Sequence, residues 1–200
     1  MGIFDKLFGR TKRTEKETEK VEMINPNDIW FTTPTISNEF PQIVPLKKQT
    51  EFDIQIHEDD YRQNEFLNLS ALPIVEQEII AIKDVWENHS KKSDDYTLFK
   101  TCHVRNKIGS PNLIINFSEL KTILKSNSVG QVIINEDALI NGFAIKTQNT
   151  TYFGTLNNDF VTELCIAEWN ENTTNEILEI NKAYNLIFVN WFHSDLIKND

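Results

Sequence analysis

The chain has 200 residues, is 40% hydrophobic and 25% charged, and carries a formal net charge of −10. That balance excludes a fibrous repeat or wholesale disorder, and a chain of this length buries about 70% of its unfolded surface without a disulfide or metal staple. The charge is uneven: residues 1–22 sum to +1, which leaves −11 on the remainder, and residues 158–200 hold eight acids against Lys182 and Lys198. An acidic body of this kind repels phosphates, so the expected partner is protein and basic, not nucleic acid.

The first nine residues place Ile3, Phe4, Leu7 and Phe8 on one narrow apolar stripe of a helix that Gly9 ends. Residues 10–23 follow as a charged linker beginning Arg10-Thr-Lys12-Arg13 and holding too little apolar surface to order itself. A helix of about eight residues is marginal alone in water, so the stripe needs a second surface: its own body, a partner groove, or anionic lipid contacted through residues 1–13 with Lys12 and Arg13 as charge anchors. The segment lacks a secretory h-region, and no run of about 20 apolar residues occurs, so the expected location is cytoplasmic, with membrane association through the tip as the alternative. Abundant isoleucine and asparagine point weakly to an AT-rich, bacterial coding sequence. In a reducing compartment Cys102 and Cys165 are expected as free thiols.

From residue 24 the reading is one domain, 24–200. Pro26, Pro34, Pro41 and Pro45 break residues 25–50 into extended wraps or edge strands. Phe52, Ile54 and Ile56 alternate with polar residues as a half-buried strand, and Tyr61 to Leu69 reads as a second. Pro73 opens a helix over residues 72–89 whose stripe is Ile74, Val75, Ile79, Ile82, Val85 and Trp86. Residues 96–106 alternate again; residues 113–125 read as strand then helix, with Ser118 as the cap. Strands are expected near 130–135, 139–147 and 151–156, with a bulge at Asn141-Gly142. Asp159 is expected to cap a helical segment bearing Leu164 and Trp169, with a strand over 161–167 as the alternative. Thr173-x-x-Glu176 reads as a capping box for a final helix reaching Ser194, with Ile187, Phe188, Trp191 and Phe192 on its stripe. The fold class implied is α+β: a mostly antiparallel sheet with helices packed on one face.

The nucleophile-elbow, phosphate-loop, dinucleotide and zinc-protease motifs are absent, as are paired cysteines or histidines at ligand spacing, so no metal or cofactor is implied. Cys102-His103 fails as a dyad because neighbours on a strand point to opposite faces. Two weaker constellations remain for an enzyme of unfamiliar type: His57 with Asp59 or Asp60, and His103 with Arg105, the latter also readable as partners of acids. His89 and His193 read as helix C-terminal cations. Trp169 beside Glu168, Glu171 and Glu176 forms an aromatic anchor among acids, the composition of an interface hot spot. The leading expectation is a non-enzymatic acidic protein that binds a protein partner, of the inhibitor or immunity type. The alternatives are a peripheral membrane or scaffold factor tethered by the N-terminus, and the unfamiliar enzyme.

Overall fold

Proline spacing keeps the start of the body extended. The structure, a computed structural model, describes residues 29–48, 50, 52–92, 96–106, 108 and 113–199; the N-terminal stripe and linker expectations fall outside them. Between prolines lie β1 (Thr35–Ser37) and β2 (Ile43–Val44), then β3 (Asp53–Gln55) with Phe52, Ile54 and Ile56 packed inward as expected. A 3-10 turn at Glu58–Asp60 leads into β4 (Asn64–Asn68), and Pro73 sits in the first turn of α1 (Leu72–His89), whose bounds match the amphipathic pattern. Three short strands follow, β5 (Ser90–Lys92), β6 (Thr97–Phe99) and β7 (His103–Arg105), the last two in place of one strand over 96–106. Next come β8 (Ile115–Asn116) and α2 (Phe117–Ile123), capped by Asn116, whose side chain accepts from the amides of Ser118 and Glu119, and not by Ser118 itself.

The meander is β9 (Val129–Ile134), β10 (Asp137–Leu139), β11 (Gly142–Lys146), β12 (Thr151–Asn157) and β13 (Phe160–Ile166). Asn135 and Glu136, both at positive φ, make the tight β9–β10 turn. Asn141, at φ 53, breaks the expected 139–147 strand in two, so β10 and β11 flank β9 on opposite sides. Residues 160–166 form a strand, the alternative to an Asp159-capped helix, because Asn158-Asp159 is a hairpin turn.

The largest correction lies at the C-terminal end. α3 (Thr174–Tyr184) stops where Asn185 adopts the left-handed conformation at φ 55, and the chain returns as β14 (Leu186–Asn190) and β15 (Asp195–Ile197). Ile187, Phe188 and Trp191 are therefore sheet and turn residues, not a helical stripe, and His193 lies in the turn between the last two strands. All five residues of β14 are buried, so the two-residue alternation that marks a half-exposed strand is missing there. The expected capping box also rearranges: the Thr173 hydroxyl donates to the Asn170 carbonyl, and Glu176 turns away to other partners.

The main sheet runs β15-β14-β4-β13-β12-β11-β9-β10-β2, with β3 pairing in parallel along β9 and β8 antiparallel along β13. β1 pairs in parallel with β7, and β5 antiparallel with β6, in two small ribbons. Gly130 is required where β3 crosses β9, since a Cβ there would lie 1.7 Å from the Phe52 carbonyl oxygen. Register assigns the two faces. Phe66 opposes Phe188, and both pack with Leu120 of α2 and Ile177 and Ile180 of α3. Leu67 opposes Ile187 on the other face, beneath Val75, Ile79 and Ile82 of α1. The sheet is thus covered on both faces, α2 and α3 on one and α1 on the other, where a single covered face was expected. The α1 face has two apolar patches, one under α1 and one around Val132, Phe153 and Cys165. Between them, opposite Cys165, stands Glu65. Among the described residues no helix is long and apolar enough to cross a membrane.

Candidate functional site

A carboxylate at an inward position of a central strand must find cations or change its protonation state. Glu65 finds two. Arg62, held at φ 59 in the turn before β4, puts Nε 2.7 Å and Nη2 2.6 Å from one Glu65 oxygen. The other oxygen accepts from the Trp191 indole at 2.7 Å and lies 3.5 Å from Arg105 Nη1. Arg105, delivered by β7, stacks 4.8 Å from the centre of the Trp191 ring and donates to the Arg62 carbonyl. Burial is the largest single influence and opposes the Arg62 charge, but Glu65, Cys165 and Glu163 together outweigh it, so its pKa rises. Arg105 stands farther from Glu65 and burial wins, pulling it down to about 10, which leaves it cationic at neutral pH.

The network continues outward in two directions. On one side Glu78 of α1, buried on the helix's apolar stripe, meets His103 Nε2 at 2.6 Å and accepts from Asn106. On the other side Arg62 Nη1 contacts Glu39, from the wrap after β1, and lies 3.9 Å from Glu163 of β13. The Tyr61 hydroxyl donates to Glu163 at 2.5 Å, and burial with the adjacent Glu163 charge pushes its pKa far up, so it remains a donor. The wrap is held by Gln63, whose side-chain amide donates to the carbonyls of Thr35 and Asp59.

Glu39 and Glu163 are the solvent end of this network, with side chains 22% and 26% exposed. They line a cavity of about 280 Å³ together with Tyr61, Phe40, Ile140, Asn141, Thr155, Leu156 and Thr162. Phe40 is 74% exposed, so the cavity has an acidic wall and a solvent-facing aromatic rim. A larger groove of about 650 Å³ lies between α2 and the 146–149 hairpin, where Lys125 and Lys146 balance Glu176 and Glu179.

The residues singled out from sequence fall as follows. Glu168 and Glu171 are exposed. Glu176 is half-buried and accepts from Asn149 at 2.8 Å, Tyr152 at 3.0 Å and Thr147 at 3.3 Å, so it clamps a hairpin to α3. Trp169 is half-buried against the main core, less open than a solvent-facing anchor. Ile3, Phe4, Leu7, Phe8, Lys12 and Arg13 lie outside the described residues. His57 caps the 3-10 turn, its ring accepting from the Asp59 amide, with Asp60 in the same turn; among the described residues no His, Cys, Asp and Glu group fit to hold a metal occurs. His103 and Arg105 do meet acids, although these come from α1 and β4 and not from a neighbouring strand. Cys102 and Cys165 are free thiols; burial pushes Cys102 up to about 11 and Cys165 well above its ordinary value, so neither is a ready thiolate.

Sequence reasoning passed over Tyr61, Arg62, Glu65, Glu78, Glu39 and Glu163. Two carried a signal: Glu78 follows Val75 by three positions on the α1 stripe, and Glu65 shares a period-two face with Leu67. Comparison of the chain with protein-family models, curated proteins and solved structures finds no match.

Proposed function

We propose that this chain is a non-enzymatic binding protein whose acidic body engages a basic protein partner, in the manner of inhibitor or immunity-type proteins. The observation that supports this reading is the cavity walled by Glu39 and Glu163 beside the exposed ring of Phe40. Acid next to exposed aromatic surface is the pairing that lets a cationic side chain dock with its stem on apolar surface and its head on a carboxylate. The −11 charge outside residues 1–22 then steers encounter over longer range. His103 and Arg105 support it indirectly, because their side chains are engaged by Glu78 and Glu65 and serve the scaffold.

The test is affinity purification of the full chain from its native cell at low and high salt, with identification of bound species by mass and reconstitution from pure components. A stoichiometric basic protein, released by salt, is expected. Its association rate at low salt should fall on charge reversal of the exposed pair Glu168→Lys and Glu171→Lys. A neutral or acidic partner, or a rate indifferent to the reversal, refutes the electrostatic reading.

A further inference from the structure

The network and the cavity together say more about what the site takes. Arg62 is shared by Glu39, Glu65 and Glu163, and no lysine or arginine is among the described residues that line the cavity. Glu163 is the carboxylate with capacity left on that wall. Its Oε2 accepts from Tyr61 at 2.5 Å and Thr155 at 3.2 Å, whereas Oε1 has the Arg62 guanidinium 3.9 Å away, beyond hydrogen-bond reach. The cavity volume of about 280 Å³ falls below the range of roughly 300–1,000 Å³ that small-molecule ligands occupy, which suits one long side chain. Phe40, Ile140 and Leu156 offer apolar wall to a stem. The charge-balanced groove by α2 has no such bias.

We infer that this cavity is a socket for one arginine side chain presented by the partner, its guanidinium donating to Glu163 and stacking on the Phe40 ring. The source of that arginine rests on the partner-binding reading; the chemistry of the socket does not. A planar guanidinium can present its face to an aromatic ring while its edge donates to a carboxylate, which a compact, strongly hydrated ammonium cannot do at once. The acid therefore selects a cation, and the exposed ring selects the flat one.

The experiment titrates the isotope-labelled full chain with N-acetyl-arginine amide, and separately with N-acetyl-lysine amide, following amide signals of Phe40, Asn141, Thr155 and Thr162. Saturable shifts in the millimolar range are expected with the arginine probe, with binding at least about threefold weaker for the lysine probe. Glu163→Gln, which keeps the side-chain shape, should weaken arginine binding about tenfold, and Phe40→Ala, at an exposed position, about threefold or more. Repeating the titration in the full chain carrying Arg10→Ala, Lys12→Ala and Arg13→Ala removes the chain's own basic segment as a competitor. Silence at those amides in both chains overturns the socket, as does arginine binding that Glu163→Gln leaves unchanged; equal binding of the two probes overturns the guanidinium assignment. A basic partner captured by a chain with a silent socket retains the function and refutes the socket, whereas arginine binding without a basic partner does the reverse.

Discussion

Replacing Glu65 by alanine removes the carboxylate that meets both buried arginines, Arg62 and Arg105. Its side chain is 7% exposed, Arg62 is 9% and Arg105 is 3%, so water does little to take its place. The lost contacts are the Arg62 fork at 2.6 to 2.7 Å, the Trp191 indole bond at 2.7 Å and the Arg105 contact at 3.5 Å. Breaking a buried pair from one side costs about 3–5 kcal/mol because the remaining charge stays desolvated. In a domain of this size each kcal/mol moves the melting temperature by roughly 2–4 °C, so a fall of about 6–20 °C is expected. Glu65→Gln keeps an acceptor for Trp191 and removes only the charge, and should fall between alanine and wild type. Urea unfolding followed by circular dichroism and by tryptophan fluorescence measures both, with Glu168→Ala as the exposed comparison. A loss below about 1 kcal/mol for Glu65→Ala would refute the claim that this network is dry and that its charges depend on one another.

Glu176→Ala should destabilise the fold by about 1–3 kcal/mol by stranding the Tyr152 hydroxyl, whereas Glu168→Ala should be near neutral; equal effects in urea unfolding would contradict the clamp. Asn185→Val places a β-branched residue at φ 55 and should cost about 1–2 kcal/mol, while Asn185→Gly should not; melting curves that rank the two the other way would show that the α3 stop is not conformational. Cys102, pushed by burial from 9.0 to about 11, should react with iodoacetamide at pH 8 about a hundredfold more slowly than a free thiol. In the unfolded chain this thiol ionises first, so its contribution to stability is full below pH 9 and is lost as pH rises to about 11; labelling at the free-thiol rate would contradict both statements.

Where local chemistry decides structure, the sequence was readable. Pro73 and six apolar positions at helical spacing define α1, and the alternation around Ile54 defines β3. It was not readable where one pattern serves two structures. Ile187 and Phe188 fit a helical stripe and a wholly buried strand equally, and only the left-handed turn at Asn185 separates them. The charged network was partly visible in Glu78 and Glu65, each placed where its neighbours are apolar. Their partners come from distant segments, and no spacing rule announces that Arg62, Arg105, Glu39 and Glu163 will meet.

β4 lies between β13 and β14, the third strand from one end of the main sheet, although it belongs to the first half of the chain. Glu65 and Trp191 are 126 positions apart in sequence. At roughly 5–20 residues per second of synthesis, β4 emerges on the order of ten seconds before its β14 neighbour. Until then the β4 edge that carries Phe66 and Leu67 lacks its β14 partner, and Glu65 lacks the Trp191 indole. This end of the sheet is thus closed by a segment made much later than β4, so shortening the chain after α3 is expected to leave the β4 edge unpaired and Glu65 without its Trp191 partner.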